Sequence, residues 1–301
     1  MATNNFRVPG KSPGDCPRWK DAKYWEEAWQ QERQQSLYGR QQANKADRQW
    51  WNQRAGGFYK PGSEKTVEPR LAHTLKILEQ RNLLQSDFEA LDIGSGPGDY
   101  ALELARRVKK VVALDPAPQM LNILQQRAAQ AGIINIETVC LTWEEINLVD
   151  QGWAQSFDLV FASLTPGIHD RETLEKMMAA SRRACFYKGF AWREDPTQKE
   201  LWQRWFQNEI PPVPADVFYV FHLLYAWGFC PSLDLQHRST RRTISVDEAI
   251  HDLTLMMSPT VEISEARQAE INKVIGERSD QGIFHKEINL VEGSICWELN
   301  A

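Results

Sequence analysis

LDIGSGPGDY, residues 91–100, sets Gly94, Gly96 and Gly98 between a short apolar run, FEALDI (88–93), and a stretch with helical spacing, YALELARRV (100–108). A strand that turns on closely spaced glycines into a helix reads as a ligand-binding turn. Glycine admits positive φ and lets the backbone touch a ligand, while the helix start offers unpaired N–H groups to an anion. Three kinds of ligand compete for such a turn. A nucleoside triphosphate requires GxxxxGK[ST], and no Lys follows these glycines. A dinucleotide requires GxGxxG, and counted from Gly94 the third position is Asp99, a carboxylate badly placed beside a diphosphate. What remains is acid-x-Gly-x-Gly-x-Gly, with Asp92 at the strand end.

Outward from this turn the pattern alternates. LAHTLKILEQRNLL (71–84) repeats leucine at helical spacing, KVVAL (110–114) is a strand, a helix follows at about 118–131, and IETVC (136–140) and FDLVFA (157–162) are strands. A helix at about 171–182 and ACFYKGFA (184–191) complete the series. Strands alternating with helices of this length predict an α/β fold with a doubly wound, mostly parallel, Rossmann-like sheet covered on both faces. KPGSEKTVEP (60–69) reads as a linker. It divides an N-terminal helical extension, 1–65, from a main domain, 66–301. Past residue 192 the alternation loosens into a lid-like insertion, about 197–282, of several helices and an extended segment, SLDLQHRS. KEINLVEGSICWEL (286–299) then reads as two strands around Glu292 and Gly293, adding antiparallel pairing at one sheet edge.

Composition narrows the function. The 301 residues are 42% hydrophobic and carry a net charge of −5, which disfavours a protein that holds nucleic acid mainly by neutralising phosphates. The charge is uneven. Residues 1–70 hold 13 Lys+Arg against 8 Asp+Glu, leaving −10 for the rest, and five of the 12 tryptophans fall before residue 65. That texture fits amphipathic helices laying aromatics on the main domain, with a nucleic-acid or membrane-contacting arm as the alternative. Cys16, Cys140, Cys185, Cys230 and Cys296 show no CxxC or His-paired spacing, so neither a disulfide framework nor a metal site is expected. Without a leader-like start or a run of 18 apolar residues, a cytoplasmic protein is expected, with no membrane and no DNA among its partners.

The turn with Asp92 resembles motif I of the class I S-adenosylmethionine-dependent methyltransferases, small-molecule type. In VVALDPAPQML (111–121) an acid, Asp115, ends the second strand 23 residues after Asp92, and LDPAPQML looks like the family's LDxSPxML segment. The resemblance covers about residues 67–192. It implies S-adenosyl-L-methionine as cofactor, with Asp92, Gly94, Gly96 and Gly98 at its methionine end, Asp115 and Pro116 at the ribose and Met120 near the adenine. After the third strand CLTWEEI offers Thr142 and Trp143, where Trp143 lies along the adenine or closes the core. WWNQRAGGFYK (50–60) is similar to a segment that covers the cofactor in small-molecule members, which would bring Arg54 and Tyr59 to the pocket.

Methyl transfer from a sulfonium is a backside displacement, so the protein chiefly aligns three atoms and excludes water. In open α/β sheets the acceptor sits beyond the carboxyl ends of the strands, and ASLTPGIHD (162–170) supplies Ser163, Thr165 and His169 there. His169 is the candidate proton acceptor, with Asp170 as the cap of the next helix. LTPG departs from the Asp/Asn-Pro-Pro-aromatic turn of enzymes that methylate exocyclic base amines or glutamine, which moves the expected acceptor toward a small molecule. His222, Tyr225, His237, Arg241 and Arg242 are further candidates for contact with it. The rivals are another enzyme on this scaffold (an aminopropyl transferase or nicotinamide oxidoreductase), a cofactor-binding sensor or scaffold without transfer, and a protein or RNA methyltransferase using the basic extension. Acceptor identity and oligomeric state are left open.

Overall fold

The computed structural model describes residues 18–36, 48–58 and 64–299. Apolar strands separated by helices form the expected sheet. β1 (Glu89–Ile93), β2 (Lys110–Leu114), β3 (Ile136–Val139), β4 (Phe157–Ser163) and β5 (Ser181–Glu194) run parallel. β6 (Ser232–Ser245) and β8 (Ile283–Glu298) extend it, with β8 antiparallel to both β5 and β6, in the order β3-β2-β1-β4-β5-β8-β6; the two-residue β7 (Ser279–Asp280) pairs with β8. Side chains alternate between the two faces, as strand geometry requires. Leu91, Ile93, Val160, Ala162, Tyr187 and Trp297 belong to one core, while Ala90, Ala113, Phe161, Phe186 and Cys296 belong to the other.

Helices cover both faces. α3 (Glu64–Gln80), α4 (Asp99–Ala105) and α5 (Pro118–Gln130) send Leu78, Leu104 and Leu124 into the second core, and α6 (Arg171–Ala180) and α8 (Asp216–Ala226) send Leu174 and Val220 into the first. The helix of α3 runs through most of the segment read as a linker, with Pro69 inside it. A proline near a helix start forgoes a single backbone bond, and the buried stripe of Thr74, Leu75 and Leu78 gives the helix its anchorage.

β8 is one continuous strand, not the two expected around Glu292 and Gly293. Glu292 is a buried ion-pair partner rather than a turn residue. Gly293 lies under α8, where an added Cβ would stand 2.6 Å from Val217 Cγ2. The extended part of the lid-like stretch is strand β6 of the main sheet. Its helices α7 (Pro196–Phe206), α9 (Val246–Met257) and α10 (Glu265–Glu277) build a core of their own from Leu201, Trp202, Leu253, Met257 and Ile271.

The N-terminal helices lie on the main domain. α1 (Ala22–Gln35) starts on an Asp21 cap that accepts from Lys23 and Tyr24 N–H, and Trp25 stacks on His222 at 3.9 Å between centroids. Trp29, 1% exposed, donates its indole N–H to Asp216 Oδ1 at 2.6 Å, and Arg33 pairs with Asp216 Oδ2 at 2.8 Å. Burial pushes the Asp216 carboxyl up and Arg33 opposes the shift. Arg33→Ala strands that carboxylate in the interior, so it should cost about 3 kcal/mol in urea unfolding and strip amide-exchange protection from residues 22–35. Unchanged stability would show that the pair does not hold α1.

Candidate active site

The three strand ends β1, β2 and β4 meet at the glycine turn. Gly94 and Ser95 N–H both donate to Leu114 O, at 2.8 and 3.0 Å, which folds the turn over the end of β2. The glycines take φ of +71°, +54° and +90° at 94, 96 and 98. A Cβ on Gly94 would overlap the Thr165 side chain, whose own Cβ stands 2.6 Å away, whereas a Cβ on Gly96 would meet nothing within 4 Å. Gly96 therefore borders open space, as a backbone that must admit a ligand does. Arg127 fastens the turn from α5, donating to Pro97 O at 2.8 Å and to Asp99 at 2.7 Å.

Two carboxylates lie at the base of the turn. Asp115, 7% exposed, accepts Gly96 N–H on Oδ2 and Ala117 N–H on Oδ1, both at 2.9 Å. Burial pushes its carboxyl up against the pull of those two bonds. Asp92 is 1% exposed, and its Oδ2 has no hydrogen-bond partner. Burial first, then the charges of Asp115 and Asp99, push it up to about 8. Ser95 Oγ and Ser163 Oγ are likewise buried and unpartnered at these strand ends. Buried polar groups are ordinarily satisfied, so these three open positions leave bonds that a ligand would be able to supply. A group that donates hydrogen bonds, such as an amine, fits Asp92; a diphosphate does not, with Asp92, Asp99 and Asp115 gathered here.

The segment after β4 bends sharply at Leu164, whose φ is +52°, and returns through Thr165 and Gly167. His169 Nδ1 lies 3.0 Å from Pro166 O and Nε2 lies 3.5 Å from Asp170 Oδ2. Since a carbonyl can only accept, Nδ1 donates to Pro166 O. Asp170 is the N-cap of α6, in a capping box with Thr173.

Several expected residues have other occupations. Trp143 is 2% exposed and gives its indole N–H to Thr173 O at 3.1 Å, closing the first core. Thr142 caps the following turn, with Glu145 N–H donating to its Oγ1 at 3.2 Å. Met120 is 2% exposed and packs with Ala55, Ala117, Trp51 and Ile123. That cluster sets α2 (Arg48–Phe58) on the start of α5, where Asn52 Oδ1 accepts Gln119 N–H at 3.1 Å and supplies the side-chain bond that the cap residue Ala117 does not. Pro116 O accepts from Cys140 Sγ at 3.6 Å. Arg54 is turned to α9, 4.6 Å over the Trp50 ring and 3.9 Å from Asp252. Tyr59 lies outside the described residues. His222 is taken by Trp25, Tyr225 lies 5.6 Å from Trp19, Arg241 pairs with Glu287, and Arg242 donates to Gly57 O. Thr165, named from the sequence among the acceptor-facing groups, fills the space a Cβ on Gly94 would take, whereas Ser95 was not singled out. Only the polar character of its segment pointed to Ser95.

Residues 90–189, about a third of the chain, match the family model described as methyltransferase domain. The matched stretch takes in the glycine turn, Asp115 and strands β1 to β4, and is similar to a methyltransferase domain. Over 125 residues the chain is 32% identical to an uncharacterized protein of Haemophilus influenzae, covering 41% of this chain and 45% of that one. The chain spans less than half the length of the curated relatives it matches. Among solved structures it is similar to the YcgJ protein of Bacillus subtilis, with 14% identity, TM-score 0.48 and coverage of 75% of this chain and 98% of that one. It is also similar to precorrin-6Y C5,15-methyltransferase of Geobacter metallireducens, with 13% identity, TM-score 0.42 and coverage of 74% and 85%.

Two outcomes follow from the turn. Gly96→Ala should cost only about 1–2 kcal/mol of stability, the price of left-handed backbone, while Gly94→Ala adds the Thr165 overlap and should cost more. Equal costs in urea titration would contradict the geometry. For Asp92, the folded form keeps a proton that the unfolded chain, near 3.8, gives up, so its contribution to stability is full below about pH 4 and is lost as pH rises toward 8. Asp92→Asn should therefore gain on the native protein as pH rises from 5 to 8.5; parallel profiles of urea midpoint against pH would refute the raised value.

Proposed function

We propose that the protein transfers the methyl group of S-adenosylmethionine to a small-molecule acceptor by in-line displacement at the ends of β1 and β4. The observation that carries this reading is the buried Asp92 carboxylate, open on Oδ2 beside the space bordered by Gly96. When bound, the cofactor supplies an electrophilic methyl group on a sulfonium. Asp92 would take its amino group and Gly96 would leave room for its amino-acid tail. Asp115, with lone pairs to spare beyond its two backbone bonds, would take ribose hydroxyls. α2, seated on Met120 and Ala117, would cover the adenosine end.

The protein's remaining task is to exclude water and align the acceptor. Ser163 and Thr165 at the end of β4 would position the acceptor, and His169 would take a proton from it. The N-terminal helices support a small acceptor over a protein or RNA. Trp25, Trp29, Arg33, Trp50 and Arg54 are all engaged with the main domain, not offered outward as a basic arm. Among the described residues no helix is long and apolar enough to cross a membrane.

Calorimetric titration with S-adenosylhomocysteine tests this reading. An ammonium beside Asp92 pulls its pKa down, so binding at pH 7 should release close to one proton, seen as a heat that changes with the ionisation enthalpy of the buffer. Asp92→Asn should abolish that buffer dependence, and Asp115→Ala should weaken binding about tenfold or more. A folded protein that gives no heat with high micromolar ligand, or an Asp115→Ala variant that binds normally, would refute the proposal.

A further inference from the structure

Beyond β4 the sheet continues into β5, β8 and β6, and the middle of these strands carries a second set of charges. Lys188 on β5 is the cross-strand neighbour of Ser163, and its side chain is 1% exposed. Its ammonium lies 3.1 Å from Glu292 Oε2 yet makes no hydrogen bond of acceptable geometry. Arg238 of β6 approaches the same oxygen at 3.2 Å. Although burial alone would push the Glu292 carboxyl up, the charges of Lys188, Arg70 and Arg238 hold it below the usual range. Arg70 of α3 also lies 3.5 Å from Asp99, which Arg127 holds at 2.7 Å. Among the described residues Glu292 thus has three cations about it, of which only Lys188 is fully buried, and this local surplus of positive charge favours an anion.

The surplus faces an open groove of about 440 Å³, walled by Pro69 and Arg70 on one side and by Leu235 to Arg238 on the other. His73 Nε2, 2.8 Å from Asp234 Oδ1, ties α3 to β6 beside it. The two guanidinium groups that border the groove are the side chains best suited to grip a planar carboxylate or a phosphate. Leu235, 45% exposed, gives it an apolar edge. At about 4.8 Å per strand, β6 lies roughly 14 Å from β4 across the sheet, a span that a small organic molecule can bridge.

We propose that this groove is the acceptor's anion subsite: Arg70 and Arg238, backed by the buried Lys188, bind a phosphate or carboxylate carried by the methyl acceptor. The assignment rests on the methyltransferase reading above for the identity of the ligand, but not for the existence of the anion site. The acceptor is therefore an anionic small molecule whose reacting atom lies near Ser163 and whose charged end lies toward β6.

The test titrates the full chain, with and without S-adenosylhomocysteine, with inorganic phosphate, butyl phosphate and chloride, read by thermal unfolding and by phosphorus NMR line broadening. Both phosphates should raise Tm saturably, butyl phosphate at lower concentration, with chloride inert at matched ionic strength. Arg238→Gln and Arg70→Gln should each weaken phosphate binding about tenfold or more, the loss expected for one charge-assisted contact. Arg238→Gln should leave S-adenosylhomocysteine affinity as it was, which also shows that the variant folds. A phosphate response no larger than that of chloride, or one unchanged in both variants, would overturn the anion site. Equal responses to the two phosphates would overturn its assignment to an organic acceptor. Failure of S-adenosylhomocysteine to bind would instead remove the methyltransferase reading, with the phosphate titration still deciding the groove.

Discussion

A carboxylate held in the interior at the end of a strand, with one oxygen left open, is the constraint around which this protein is arranged. Asp92 is buried because β1 lies at the centre of the sheet, between β2 and β4. Its burial, with Asp115 and Asp99 close by, raises the cost of keeping it charged. A fold tolerates such a group where a partner arrives from outside, since in the bound state the donor it lacks is supplied. The glycine turn is the other half of that arrangement. Positive φ at 94, 96 and 98 brings backbone N–H groups to Leu114 O and Asp115, and leaves the ligand side of Gly96 clear.

The rest of the molecule closes this centre from several sides. α2 caps α5 through Asn52 and buries Met120, so residues before the first strand close the side of the turn at the start of α5. α1 reaches the opposite face and is locked to α8 by the Trp29, Arg33 and Asp216 group. β8, by running antiparallel between β5 and β6, widens the sheet past the usual crevice and sets Glu292 among Lys188 and Arg238. The same strand that extends the sheet thus also places the charges that surround the groove.

What was legible in the sequence follows from range. Strand β2 (110–114) and the turn after β1 could be read because apolar runs and glycine chemistry act within a few residues. Asp115 could be read because its distance from Asp92 is set by one βαβ unit. The continuity of β8 could not. Glu292 and Gly293 look like a turn locally, and only their partners, Lys188 and Val217, far off in the chain, make them interior. The helix from 71 was legible in its leucine spacing, but its start at 64–70 was hidden by Pro69 and polar residues. Arg54 pointed to the pocket by resemblance, yet Trp50 and Asp252 claim it. One signal was present and passed over: a single Lys inside ACFYKGFA, an otherwise apolar strand, has to find a charge partner.

That lysine shows how the two halves of the site depend on each other. Strand order sets Ser163, Lys188 and Ser294 side by side, so the end of β4 is continuous with the charged interior stretch of β5 and β8. Arg70 stands between them, near Asp99 on the glycine-turn side and within the field of Glu292 on the other. Asp99 in turn helps to hold up the pKa of Asp92. A negative charge in the groove would draw Arg70 away from Asp99, exposing Asp92 to more of that carboxylate's repulsion and strengthening its demand for a cationic partner. The two ends of the proposed site would thereby be coupled through one arginine, with the sign that favours occupation of both.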